Sequence, residues 1–226
     1  MGDEQSSARP DLIGCTALWL TALIIDASGG DAWFTRLYGA ADGFAWRDHW
    51  FTSDVMHRGG RVVSWLLFGA TVWAVWRPWP AIAPIPVRTR AWWLNCTLLC
   101  LALIPILKYY SLTSCPWDLL EFGGRASWVS HWAFGLPDGG PGRCFPSGHA
   151  SGAFGFAAGY FALRASVPRL ARAWLVMVLV LGVAFGWTQL MRGAHHVSHT
   201  LWTAAICWTI TVVSFHATRN WRLATR

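Results

Sequence analysis

Lysine is nearly missing from this 226-residue chain: Lys108 stands alone among 18 basic residues, and the rest are arginine. Charge of either sign is scarce, with Asp, Glu, Lys and Arg at 13% against roughly a quarter in ordinary soluble domains. The basic residues form no run or stripe, so the net charge of +7 is not a nucleic-acid footprint, and no nucleic-acid partner is expected. No internal repeat divides the chain. The apolar stretch after "MGDEQSSARPD" lacks a small-residue cleavage site and reads as a retained first span, not a signal peptide. The match of "MGDEQS" to a myristoylation pattern is taken as chance.

What the chain has instead is apolar residues, at 54%, and 18 tryptophans, far more than a soluble domain of this size carries. Tryptophan in such numbers suits belts at two membrane interfaces. Six apolar stretches, near residues 12–27, 62–76, 91–109, 150–163, 171–190 and 201–215, are candidate spans. The expected fold class is therefore all-α: a polytopic membrane bundle of six transmembrane helices forming a single domain over residues 1–226.

Orientation follows from where arginine collects. Arg9, Arg77, Arg88, Arg90, Arg164, Arg169, Arg172, Arg219, Arg222 and Arg226 fall on one side of a six-span arrangement. The loops on the other side are longer, less densely basic and hold most of the acids, Asp31, Asp42, Asp48, Asp54, Asp118, Glu121 and Asp138. The positive-inside rule then puts both termini in the cytoplasm.

Three polar clusters fall at outward-facing span ends: "KYYSLTSCPWDL" from Lys108, "GRCFPSGHASG" from Gly142, and "TQLMRGAHHVSHTLW" from Thr188. An ionisable group at a membrane boundary is costly and is read as functional by default. In the second cluster, Ser147 and Gly148 open a helix, where free backbone N–H groups and the helix dipole favour an anion. His149 beside them can donate a proton near neutral pH. The bland alternative is a helix cap with a neighbouring histidine. His195 and His199, four residues apart on a helix, face the same way and offer a rival reading as a metal pair, with Asp118 or His149 completing it. No HExxH pattern supports that reading. His196 is expected to point away, toward the headgroup layer. "HRGGR", from His57, meets the same surface and either binds a headgroup or caps a helix.

In this order and on six spans, the clusters resemble the type 2 phosphatidic acid phosphatase family of membrane lipid phosphatases. The family pattern is Lys, six residues, Arg-Pro; then Pro-Ser-Gly-His; then Ser-Arg, five residues, His, three residues, Asp. Pro146-Ser147-Gly148-His149 matches in full, and Lys108 with Pro116 keeps the spacing. Cys115 stands at an arginine position, Thr188-Gln189 replaces Ser-Arg, and His199 replaces the aspartate. The resemblance implies His195 as a nucleophile forming a phosphohistidine, and His149 as the acid for the leaving oxygen. Lys108, Ser147 and Gly148 would hold the phosphoryl oxygens, with Arg192 and Arg143 standing in for the missing arginines. His199 would orient His195 in place of the carboxylate.

Cys115 and Cys144 both flank motifs, and either pair in a disulfide that staples two site loops or remain free. Cys15, Cys96, Cys100 and Cys207 read as small apolar residues within spans. The expected function is a membrane phosphatase of a lipid phosphate or pyrophosphate: polyprenyl pyrophosphate, phosphatidate, phosphatidylglycerol phosphate or a lipid A phosphate. It would use no metal or cofactor, need no protein partner beyond membrane lipids, and face the periplasm from a bacterial inner membrane. A lipid phosphotransferase and a non-catalytic lipid-binding protein are the alternatives.

Overall fold

The computed structural model describes residues 2–223; Arg226, counted above on the arginine-rich side, lies outside them. The chain is mostly helical. Six apolar helical segments alternate in direction: α1 (Gly2–Ala27), α3 (Gly60–Trp76), α4 (Val87–Tyr110), the pair α5 (Gly148–Phe154) and α6 (Ala158–Leu163), α7 (Pro168–Met191) and α8 (Val197–Ala217). Short α2 (Gly30–Arg36) follows α1, and α9 (Arg219–Leu223) follows α8. Four helices among the described residues are long and apolar enough to cross a membrane: Ala8–Ala27 within α1, and α4, α7 and α8. The protein is thus a membrane protein by its helices. Exposed Ile13, Ile24, Leu99, Val180 and Val183 stud their outer faces, a pattern that lipid tolerates and water does not.

The two segments below that length differ from the sequence expectation for local reasons. The helix of α3 is 17 residues long, but nine residues of π-helix, Phe51–Gly59, run directly into it. The expected fourth span, 150–163, is broken at Gly155–Ala157, where Phe156 and Ala157 bond three residues back, to Ala153 and Phe154. The Phe156 carbonyl accepts the Gly159 N–H at 3.1 Å and also the indole N–H of Trp174 at 2.9 Å, so a side chain reaching the backbone ladder accompanies the break. This broken segment is the centre of the bundle. Ala150, Ala153, Phe156, Ala158, Phe161 and Leu163 are buried among α4, α7 and α8, and its small residues let those helices approach closely.

Helix ends sort into two groups. At one end the start of α1 meets the ends of α6 and α8, through Asp11, Arg164 and His216. At the other, the ends of α1, α4 and α7 meet the starts of α3, α5 and α8. A two-stranded hairpin, Gly39–Ala40 with Gly43–Phe44, caps that second end, packing Phe44 against Leu119, Phe122 and Ala126.

Candidate active site

The turn from α7 into α8 sets the position of His195. Gly193 adopts φ 70°, the left-handed conformation glycine takes without strain. The Gly193 N–H bonds the Leu190 carbonyl at 2.9 Å and the Ala194 N–H bonds the Gln189 carbonyl at 2.8 Å. This paired pattern ends α7 and reverses the chain directly before the histidines. Asp31 of α2 secures the other side of the turn: its carboxylate accepts the Ser198 N–H at 2.8 Å and the Ser198 hydroxyl, capping α8 from a separate helix.

His195 is 3% exposed, and its Nδ1 lies 2.8 Å from the Cys144 carbonyl oxygen. A carbonyl only accepts, so Nδ1 carries the proton and Nε2 keeps its lone pair. Burial, then the Lys108 charge, holds His195 well below the ordinary imidazole range, in the neutral form a nucleophile requires. The nearest orienting group is therefore a backbone carbonyl. His199, expected in that role, has its Nδ1 at 3.5 Å from His195 Nδ1, a poor second to the carbonyl.

Cys144 is fixed in turn. The structure joins it to Cys115 in a disulfide, with Cα atoms 5.1 Å apart, and its N–H bonds the Thr113 carbonyl at 2.9 Å. Trp117, two residues past Cys115, bonds the Gly193 carbonyl at 2.9 Å. The loops after α4 and before α5 are thus tied to each other and to the His195 turn. The four remaining cysteines are free; Cys96, Cys100 and Cys207 are buried.

The second motif follows a cis Phe145–Pro146 bond. Its Ser147 corrects the sequence reading. The Ser147 N–H is not free but donates to the His199 carbonyl at 3.1 Å, and the polar group left over is the hydroxyl, buried without a hydrogen-bond partner. Gly148 lies against Lys108: a Cβ at this position would sit 3.5 Å from Cδ and 3.8 Å from Nζ of the lysine. The only lysine is thereby aimed at the start of α5.

His149 turns toward the π-helix. Its Nε2 is 3.3 Å from the Met56 carbonyl, and its ring centroid is 4.6 Å from His57 and 4.8 Å from Phe185. Gly60 allows this approach, since a Cβ there would fall 2.8 Å from Phe185 Cε1 and 3.2 Å from His149 Nε2. His57 of "HRGGR" thus lies against His149. Gln189, at the family's arginine position, lies with Nε2 3.1 Å from His57 Nδ1. Burial, then the Arg192 charge, pushes His57 down to about 4. Arg192 donates to the Arg47 carbonyl at 2.8 Å and lies 3.4 Å from Gln189 Oε1, which brings a guanidinium to this chain of groups. Arg143 stays at the rim, exposed, with its guanidinium 4.6 Å over the Tyr109 ring.

His196 does not face the headgroup layer. It is buried, with Nδ1 2.8 Å from the Thr35 hydroxyl, and so helps hold α2 against α8. Among the described residues, no three His, Cys, Asp or Glu side chains are grouped to hold a metal ion; Asp118, weighed as a metal partner, instead accepts the Cys115 N–H at 3.3 Å. The Cys144 carbonyl, Gln189 and Asp31 could not be assigned roles from residue type and spacing alone.

The model of one protein family, the PAP2 superfamily, matches residues 90–223. The chain belongs to the PAP2 superfamily. The matched stretch runs from the first turn of α4 to the end of α9 and contains Lys108, Ser147, His149, His195 and His199, whereas His57 lies before it. PAP2 superfamily membership supports phosphatase or phosphotransferase chemistry on a phosphate-bearing substrate, and a hydrolase at that coarse level. Neither the curated proteins nor the solved structures compared with the chain gave a match.

Proposed function

We propose that this PAP2 superfamily member is an integral membrane phosphatase of a lipid phosphate or pyrophosphate, acting through a phosphohistidine on His195. The observation that carries the reading is the hydrogen bond from His195 Nδ1 to the Cys144 carbonyl, which leaves Nε2 unprotonated on a ring that feels the Lys108 charge. Nε2 attacks phosphorus while the phosphorus–oxygen bond to the lipid breaks, and His149 gives a proton to the departing oxygen. Water then attacks the phosphohistidine, loses a proton to His149 and releases phosphate from His195. Lys108, the Ser147 hydroxyl, the Gly148 amide and Arg192 offset the charge on the equatorial oxygens, the main requirement of phosphoryl transfer.

The remaining features belong to the same proposal. All six helical segments act as spans of one domain, with the termini cytoplasmic and the site on the periplasmic face of a bacterial inner membrane. Polyprenyl pyrophosphate, phosphatidate, phosphatidylglycerol phosphate and lipid A phosphates are the candidate substrates, and surrounding lipids the only partners. The test is phosphate release from this panel by protein in nanodiscs, with and without a chelator. Release from at least one substrate, unaffected by chelation, is expected. Transfer of the phosphoryl group to a lipid acceptor would assign a phosphotransferase, and tight lipid binding without turnover a non-catalytic protein.

A further inference from the structure

A charged cavity lies at the opposite end of the bundle from His195. Its volume is about 670 Å³, and Arg164, Arg219, Arg222 and His216 line it together with Phe161 and Phe215. Asp11 binds Arg164 through both oxygens, at 2.6 and 2.9 Å, and accepts from His216 Nε2 at 3.0 Å. Arg222 has no such partner. It is 4% exposed, forms no ion pair with a carboxylate among the described residues, and bonds only the Thr218 hydroxyl, at 3.2 Å, and the Phe215 carbonyl. Its guanidinium carbon lies over two aromatic rings, 3.8 Å from the Phe215 centroid and 5.0 Å from that of Trp92.

A buried guanidinium without a counter-anion is costly. Burial and the Arg164 and Arg219 charges already push Arg222 down to about 10, so its surroundings favour an added negative charge. Guanidinium groups meet phosphate oxygens in paired hydrogen bonds. The rest of the lining includes Ile85 and two prolines, surface that a free inorganic anion would not use. Exposed Trp79 and Trp221, and the bond from Arg88 to the Trp221 carbonyl at 3.3 Å, put this end at a membrane interface.

We propose that this cavity binds the phosphate of an anionic lipid headgroup, at a site separate from the His195 centre and on the arginine-rich face. Arg222 and Arg164 meet the phosphate, and the phenyl rings and Ile85 meet the start of the acyl chains. The site does not depend on the catalytic reading, because none of its residues touches that centre.

Native mass spectrometry of the full chain tests this, using phosphatidylglycerol and phosphatidylcholine with identical acyl chains, and inorganic phosphate as a third ligand. Phosphatidylglycerol should be retained in preference by about tenfold, the scale of one charge-assisted hydrogen bond. Arg222→Gln should abolish the preference. Because Arg222 also bonds the end of α8, Ser166→Glu serves as an independent variant: Ser166 is an exposed lining residue that makes none of the Arg222 hydrogen bonds, and a carboxylate there repels the headgroup and competes with it for the arginines. Loss of preference in Ser166→Glu, with retention in Lys108→Ala, would support the site. No preference in the wild-type chain, or a preference that survives Ser166→Glu, would overturn it. Displacement of the lipid by millimolar inorganic phosphate would overturn the lipid assignment in favour of a free anion.

Discussion

Removing the Cys115–Cys144 disulfide separates two contributions that meet at Cys144. The bond closes a loop spanning 29 positions, and the chain-entropy relation gives about 3.5 kcal/mol for a loop of that size. Paired Cys115→Ser and Cys144→Ser substitutions should therefore lower Tm by roughly 10 °C, on the scale of 2–4 °C per kcal/mol for a chain of this length. The catalytic consequence is smaller and distinct. Both variants keep the Cys144 backbone carbonyl, but its position no longer depends on Cys115, and the 2.8 Å bond to His195 Nδ1 loosens. A net hydrogen bond of about 1 kcal/mol corresponds to a kcat loss of several-fold, up to about tenfold, with KM nearly unchanged. Thermal unfolding in detergent, followed by turnover below the lowered Tm, reads both effects on one preparation. An unchanged Tm with unchanged kcat would refute the argument, because it would mean that neither the loop nor the carbonyl depends on the bond.

Arg192→Ala should lower kcat by on the order of a hundredfold, as expected for a donor to the transition state, while Arg58→Ala, whose exposed side chain pairs with Asp54 at 2.6 Å, should stay within about twofold. Equal small losses in steady-state assays would make Arg192 an interface anchor only. Gly60→Ala drives a Cβ into Phe185 and His149, and should cut kcat by roughly ten- to a hundredfold with little effect on membrane insertion; unaltered turnover would show that the π-helix does not position His149. Stability should fall on acidification from pH 7 to 5. The unfolded His195 takes a proton near pH 6.5 that the folded one refuses, so stability is complete above that value and drops below it. The slope is about 1.4 kcal/mol per pH unit for this one buried group. His195→Gln should flatten the slope in unfolding measurements, and an identical slope in both proteins would contradict the assignment.

The helices were legible because lipid-facing segments must be apolar along their whole length. The expected spans 171–190 and 201–215 fall inside α7 and α8, with the ends short by a few residues. The break at Gly155–Ala157 was not legible, and neither was the contact from Trp174 on another helix that accompanies it. At the site, side-chain motifs could be read and backbone partners could not. His195, His149 and Lys108 stand out by type and spacing, whereas any residue at position 144 presents a carbonyl. Gln189 marks only a departure from the family pattern until the fold sets it beside His57. His196 was misplaced because the sequence hides that α2 covers the turn and offers Thr35 to its ring.

The most direct test of the central claim is to trap the intermediate. Enzyme mixed with a phosphorus-labelled lipid substrate and quenched in alkali, where phosphohistidine survives, should carry label on the peptide containing His195, in stoichiometric amount on the wild-type chain. The His195→Ala protein should carry none and release no phosphate. Phosphate release by His195→Ala, or label on a peptide without His195, would contradict the account.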